Sequence, residues 1–483
     1  MESAVGYEKE LQNYNNSEKM AVKLASFVGN LLYEKGVELV LFRNHLTNIT
    51  TSEIINLHDY AEKTVGKKIF IKTTAALAEE MYNMDIPDSK IDIGKLAYEW
   101  IQENDKYDSK RAFLDAKLGT LLAAGPVTFE PRDVVLYGFG RIGRLAAREL
   151  IIQAGKGQQL RLRAIVTRNA SEEQLIKRAA LLRNDSVHGA FKGTVTVDAV
   201  NKNLIVNGQM IKMIEASNPE DIDYTEYGIN NALVIDNTGV FKDKEALGRH
   251  RAAKGVSRVL LTAPGSGIPN IVYGINQKDI DLEKDHIVSA ASCTTNAISP
   301  VLKVMNDSFG IEKGHIETIH AYTNDQNLLD NMHKKPRRGR SAAINMVITS
   351  TGAGKAVTKV IPDLDNKLTA NAVRVPTPNG SLAMMNLTLN KATNVDEINA
   401  TLKDAALNGS LVNQIFYSVD PELVSNDIIG NVCCSVFDAP ATIVSPDGKN
   451  AVLYTWYDNE YGYTKQVIRL AKYIAKVRRH IYY

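Results

Sequence analysis

A chain of 483 residues is long enough for roughly two to four domains. With 44% hydrophobic and 23% charged residues it has an ordinary globular composition and ample material for large cores. Lysine and arginine (57) nearly balance aspartate and glutamate (55), for a formal net charge of +2; this excludes nucleic-acid binding driven by bulk charge but leaves room for a local basic pocket.

The opening residues MESAVGYEKELQNYNN contain no apolar core of a secretory signal. The longest apolar runs, such as Val37-Glu38-Leu39-Val40-Leu41-Phe42, are far too short to span a bilayer. Three cysteines, two of them adjacent (Cys433 and Cys434), cannot build a disulfide scaffold and suit a reducing compartment. The expectation is a cytoplasmic protein that neither enters a membrane nor binds nucleic acid. No set of residues is assigned to a metal.

Residues 1–125 read as a helical domain or arm. Pro87 is the one proline there, and Thr50-Thr51-Ser52-Glu53 has capping-box spacing ahead of Ile54, Ile55 and Leu57. Leu96, Trp100 and Ile101, then Phe113, Ala116 and Leu121, recur at helical intervals. None of these residues carries recognisable chemistry, so the segment reads as a packing or assembly element. Gly125-Pro126-Val127-Thr128-Phe129-Glu130-Pro131 then reads as a linker.

From Asp133 the pattern changes. Val134 to Tyr137 reads as a strand, Arg141 to Gln153 as a helix and Leu160 to Val166 as a strand; Ala232 to Ile235 and Arg258 to Leu261 are further strands. Such alternation predicts an α/β domain with a parallel sheet. Gly138-Phe139-Gly140-Arg141-Ile142-Gly143 lies between the first strand and its helix, as a dinucleotide fingerprint requires. Gly138 would make the turn, Gly140 would admit a pyrophosphate and Gly143 would let helix and strand pack, while the helix N-terminus faces the anion. The acid expected about 20 residues further on, to hold the ribose of NAD, is missing. The second strand ends in Thr167-Arg168-Asn169, which can donate hydrogen bonds and add a positive charge. The pattern predicts that NADP is accepted; alternatively, Arg168 is a solvated loop charge.

Ser292-Cys293-Thr294-Thr295-Asn296 places one cysteine among small polar residues ahead of an apolar run, and Ile319-His320-Ala321-Tyr322-Thr323 follows. Brought together, Cys293 and His320 could form a thiolate–imidazolium pair with a nucleophilic sulfur. From these residues alone, a buried structural cysteine is the competing explanation.

Five segments carry a resemblance. They are Gly138 to Arg144, Ala291 to Asn296, His320-Ala321-Tyr322-Thr323, Arg374-Val375-Pro376-Thr377-Pro378-Asn379, and Trp456 to Tyr463. In order and spacing they resemble glyceraldehyde-3-phosphate dehydrogenase over residues 132–483. The resemblance implies an NAD(P)-binding Rossmann domain at 132–292, completed by a C-terminal helix within 464–483, and an α+β catalytic domain at 293–463. It implies that Cys293 attacks the aldehyde, with His320 as general base, and that inorganic phosphate cleaves the resulting thioacyl enzyme. Thr323 and Arg374 resemble the substrate-phosphate site, and Ser292, Thr294, Thr351 and Gly352 the site for attacking phosphate. Gly138, Gly140, Arg141, Ile142, Gly143, Thr167, Arg168, Thr238, Thr262 and Asn459 fall at cofactor positions, Asn459 at the nicotinamide carboxamide. A homotetramer is also implied.

The chain departs from the family at Ala290, Ala297, Thr167 and Asn331-Met332. The last two departures, with Arg337-Arg338, resemble its NADP-using branch. Thr323-Asn324-Asp325-Gln326 resembles that branch and also erythrose-4-phosphate dehydrogenase, which leaves triose or tetrose phosphate open as substrate. A regulatory or scaffolding protein acting through residues 1–125 is the alternative outside catalysis. Cys433 and Cys434 read as strand residues without a role.

Overall fold

The computed structural model describes residues 2–127 and 129–483; Thr128, in the expected linker, lies outside the described residues. The chain divides into two units. The first comprises residues 1–130 with the short stretches 154–159 and 477–483, and the second comprises 131–153 and 160–476. The segment 464–483, expected to complete the nucleotide domain, is therefore divided between them.

The first unit is built largely of the helices that the sequence suggests. Thr50 caps the helix Thr51–Tyr60 by accepting from the Glu53 N–H, and the Glu53 carboxylate answers the Thr50 N–H, a complete capping box. The helix Ile93–Glu103 is capped by Asp92, and Lys110–Lys117 by Ser109. Leu24, Val28, Leu31 and Leu32 of the long helix Glu2–Lys35 are buried.

The expectation of helices alone is corrected by a four-stranded sheet, in the order Asn44–His45, Val37–Leu41, Ser89–Asp92, His480–Tyr482. All five residues of Val37–Leu41 are buried. A short run buried on both faces shows no alternation, so its strand character is hidden in sequence. Its polar member, Glu38, meets His45 Nδ1 and Lys90 Nζ, each at 2.9 Å. The last strand pairs in parallel with Ser89–Asp92, His480 opposite Ser89.

The second unit holds two eight-stranded sheets. The first runs in the order Ile287–Ser289, Val256–Leu261, Ala232–Asp236, Arg132–Tyr137, Leu160–Thr167, Gln209–Glu215, Asn203–Val206, Val195–Asp198. Its first six strands are parallel and the last two antiparallel. The chain leaves Arg132–Tyr137 for the strand on one side and later returns on the other. This makes a topological switch point at Gly138, where ligands bind in such sheets.

The main path of the second sheet is Val347–Thr349, Leu368–Val375, Ile311–Ala321, Ser381–Leu389, Asn450–Tyr457, Ser435–Asp438, Ile415–Ser418. It is mainly antiparallel, but Ile311–Ala321 runs parallel to Leu368–Val375. The helix Cys293–Phe309 packs on it through Ala297, Ile298, Val301, Leu302 and Met305, against Ile316, Met385, Leu387 and Leu453. Cys433 and Cys434 are buried in the bend just before Ser435–Asp438 and not in a strand.

Candidate active site

Cys293 is the first residue of its helix, and its position is set by a strained turn. The chain leaves the strand Ile287–Ser289 through Ala291, held at φ +55°. That left-handed conformation is costly for a residue with a Cβ and persists where its surroundings enforce it. Here Ala291 N–H donates to Ser289 Oγ (2.9 Å) and Ala291 O accepts from Tyr463 (2.9 Å). Asn296, almost wholly buried, donates to Ala290 O (2.8 Å) and Ser292 O (2.9 Å), which ties the turn down from inside the helix. Ser292 caps the helix by accepting from Thr295 N (3.0 Å). Ser292, Thr295 and Asn296 thus help to aim Cys293 from a helix N-terminus, where the dipole favours an anion.

Cys293 Sγ is 3.6 Å from His320 Nε2. His320 comes from the strand Ile311–Ala321 and stands opposite Arg374 in the parallel register. Its Nδ1 is 2.7 Å from Ala321 O; in the tautomer that donates there, the Nε2 lone pair is left toward the thiol. Arg374 Nη1 donates to the same carbonyl at 2.6 Å and also lies 2.6 Å from Nδ1. Tyr457 closes the wall, its ring edge-on to His320 at 5.8 Å and its hydroxyl 3.1 Å from Thr294 Oγ1.

Burial and the neighbouring cation act in the same sense on His320 and in opposite senses on Cys293. Burial, and then the Arg374 guanidinium, bring His320 down to about 3. Burial pushes the Cys293 thiol up, while Arg374 pulls it the other way. Arg374 favours the thiolate and disfavours the imidazolium, so His320 is equipped to take a proton from sulfur as attack proceeds.

The glycine fingerprint has the expected shape. Gly138 has φ +93°, and a Cβ there would meet Thr238. A Cβ on Gly143 would lie 2.5 Å from Gly138 O, so helix and turn touch through glycine. Gly140 has open space in front of it, and the helix Arg141–Ile152 starts there with its first N–H groups, those of Arg141, Ile142 and Gly143, without intrahelical acceptors. The Thr238 hydroxyl and N–H both donate to Asp236, and Thr262 Oγ1 donates to Asp236 O. Thr167 is buried and donates to Asn169 O, whereas Arg168 is exposed. An open cradle faced by N–H donors fits a dinucleotide pyrophosphate.

The Arg141 guanidinium is held by Asp185 and Glu460, so what Arg141 offers the cradle is its backbone N–H. Sequence reasoning missed Ser381 and Tyr457. The fully buried Ser381 accepts from Ala321 N (3.1 Å) and donates to Asn459 Oδ1 (2.8 Å), which leaves the Asn459 Nδ2 as the donor for a ligand. Ser381 and Tyr457 are register partners on neighbouring strands, a relation that no local motif signals.

The anion positions are less tightly drawn. Thr323 lies in the turn after the His320 strand and is partly buried. Thr351 Oγ1 accepts from Ala353 N (3.2 Å), and Gly352 precedes a helix of six residues, Ala353–Thr358. Arg338 pairs with Asp325 and donates to Thr349 Oγ1 (3.1 Å). Among the described residues no cluster could hold a metal ion, and no helix is long and apolar enough to cross a membrane.

Residues 132–244 match the family model of the glyceraldehyde 3-phosphate dehydrogenase NAD binding domain, and residues 292–459 that of its C-terminal domain. The chain is 47% identical over 456 residues to a glyceraldehyde-3-phosphate dehydrogenase-like protein of Pseudomonas aeruginosa, covering 93% of this chain and 98% of that protein. The chain belongs to the glyceraldehyde-3-phosphate dehydrogenase family. It is 41% identical to the enzyme of Clostridium pasteurianum over 72% of this chain and 99% of that one. It is 40% identical to glyceraldehyde-3-phosphate dehydrogenase 1 of Bacillus subtilis over 71% of this chain and 98% of that one. The Pseudomonas likeness, at 93% of the chain, extends into the N-terminal unit; the shorter matches have the length of the second unit alone. As a member of this family the chain is a phosphorylating oxidoreductase with an NAD(P)-binding domain.

Proposed function

We propose that the protein catalyses the reversible phosphorylating oxidation of glyceraldehyde 3-phosphate to 1,3-bisphosphoglycerate, with NADP or NAD as acceptor. The observation that carries this reading is the 3.6 Å approach of Cys293 Sγ to His320 Nε2 at the N-terminus of a helix. Cys293 attacks the aldehyde carbon and His320 Nε2 takes the thiol proton. The Cys293 N–H at the start of its helix steadies the oxyanion. The imidazolium returns this proton to the oxyanion, giving the hemithioacetal hydroxyl, and takes it back as the electron pair of the C–H bond departs as hydride, leaving a thioester on Cys293. The bound nicotinamide supplies the hydride acceptor, with Asn459 Nδ2 donating to its carboxamide. Inorganic phosphate, held by Ser292, Thr294, Thr351 and Gly352, cleaves the thioester. Thr323 and Arg374 hold the phosphate of the substrate.

Residues 132–292 form the nucleotide domain and 293–463 the catalytic domain in this reading, with residues 1–125 as an assembly element. Thr167 and Arg168, where NAD-specific members have an acid, support acceptance of NADP. Exposed apolar side chains between Leu328 and Ile348, with Met332 92% exposed, support burial against further copies in a homotetramer. The protein works in the cytoplasm.

The test is paired NAD and NADP kinetics on glyceraldehyde 3-phosphate and erythrose 4-phosphate, each with and without inorganic phosphate. Phosphate-dependent reduction with the triose is expected, and its absence overturns the proposal. Cys293→Ser should remove turnover almost completely. Thr167→Asp with Arg168→Ala should move preference toward NAD; an unchanged ratio would place selectivity elsewhere.

A further inference from the structure

Arg141 is the first residue of the helix behind the glycine loop, and Glu460 directly follows Asn459. Arg141 Nε and Nη2 each lie 2.5 Å from one oxygen of Glu460, and Nη1 and Nη2 each lie 3.0 Å from one oxygen of Asp185. Two forks therefore grip one guanidinium, leaving it little to offer a phosphate.

The two acids are themselves fixed. Asp185 Oδ1 accepts from the N–H groups of Val187 (2.9 Å) and His188 (3.0 Å), and Glu460 Oε2 is 3.0 Å from His188 Nε2. Asp458 Oδ1 accepts from the N–H groups of Glu460 (2.9 Å) and Tyr461 (2.8 Å) and from Asn379 Nδ2 (2.8 Å). Asn459 is thus bracketed by two anchored neighbours, with its own Oδ1 held by Ser381.

We propose that Arg141, gripped between Asp185 and Glu460, is a positioning residue that fixes the spacing between the glycine loop and Asn459 and thereby sets where the nicotinamide end of the cofactor comes to rest. The proposal rests on the reading of residues 132–292 as a cofactor domain and of Asn459 as the carboxamide donor. Buried ion pairs contribute little net stability against apolar packing, so what this network provides is geometry. Glu460 and Asp185 strengthen the guanidinium's hold on its proton, and hydrogen bonds from His188 and then Arg141 hold both carboxyls below their usual range, so the grip stays charged at neutral pH. A lysine keeps the charge but loses the planar fork.

The test measures binding of ADP-ribose, of NAD and of NADP by calorimetry to the full chain and to Arg141→Lys. A positioning role leaves ADP-ribose within about twofold of the unaltered protein. It weakens whichever dinucleotide the unaltered protein binds by about tenfold, the loss of roughly one good charge-assisted contact. Glu460→Gln is a second arm that retains a hydrogen bond to Arg141 and should fall between the two. Equal losses for ADP-ribose and the dinucleotide would make Arg141 a phosphate contact or a support of the fold, and no loss for either would make it a bystander; both outcomes overturn the proposal. If the unaltered protein binds neither ADP-ribose nor a dinucleotide, the cofactor reading fails and the proposal with it.

Discussion

Replacing Arg374 with glutamine tests the electrostatics of the catalytic pair directly. The guanidinium nitrogen lies 2.6 Å from His320 Nδ1, and its charge centre is about 4 Å from the ring, where two like charges repel by about 4 kcal/mol at an effective dielectric constant of ~20. That figure is an upper bound. His320 falls from 6.5 to about 3, with burial as the largest cause and the Arg374 guanidinium the next. Arg374→Gln should therefore bring the His320 midpoint up from about 3 toward its ordinary value, by less than that upper bound allows because burial remains. The thiol should move in the same direction, because the cation that favours the thiolate is gone. Alkylation of Cys293 by iodoacetamide, followed against pH without substrate, reports the thiol apart from any loss of substrate-phosphate binding. Imidazole NMR reports His320. The two groups interact, so the midpoints belong to the pair. A His320 midpoint that stays in place or falls, or a thiol that becomes easier to ionise, would refute this assignment of the charges.

Gly143→Ala would drive a methyl group to 2.5 Å from the Gly138 carbonyl and should cost about 1–3 kcal/mol with weakened cofactor binding, read by thermal melting and by calorimetry. An unaltered melt and affinity would show that helix and turn can part freely. Ser381→Ala removes the donor that orients the Asn459 amide and should raise the cofactor KM with little change in the rate of Cys293 alkylation. Equal losses in both would point to collapse of the site. Deleting residues 477–483 removes the fourth strand of the N-terminal sheet and the Arg479 side chain 3.8 Å from Glu38. The first unit should then melt lower by on the order of 10 °C and become sensitive to protease between residues 1 and 125, as followed by limited proteolysis.

What could be read in the sequence was local. The capping box at Thr50, the glycine turn at Gly138 and the helix opening at Cys293 are each specified by residues a few positions apart, and the structure presents all three. Val37–Leu41 was beyond such reading because a doubly buried strand has no period, and because one strand of its sheet arrives from residues 480–482. For Arg141 the fingerprint identifies the backbone position, while the partners of its side chain, Asp185 and Glu460, lie far off in sequence and carry no local signal. Ser381, Tyr457 and the contact of Arg374 with His320 depend on register between strands, which the hydrophobic pattern of a single strand does not encode.

The strand His480–Tyr482 has a consequence for biosynthesis. The ribosome delivers residues 1–127 first, yet the sheet they contribute to cannot close until a segment more than 300 residues downstream has emerged. The early helices must therefore wait, with one side of Ser89–Asp92 unpaired, while the whole dehydrogenase portion is translated. That edge closes only after residues 480–482 have been made, and a nascent chain stalled short of residue 477 would leave it open to any stray strand or chaperone.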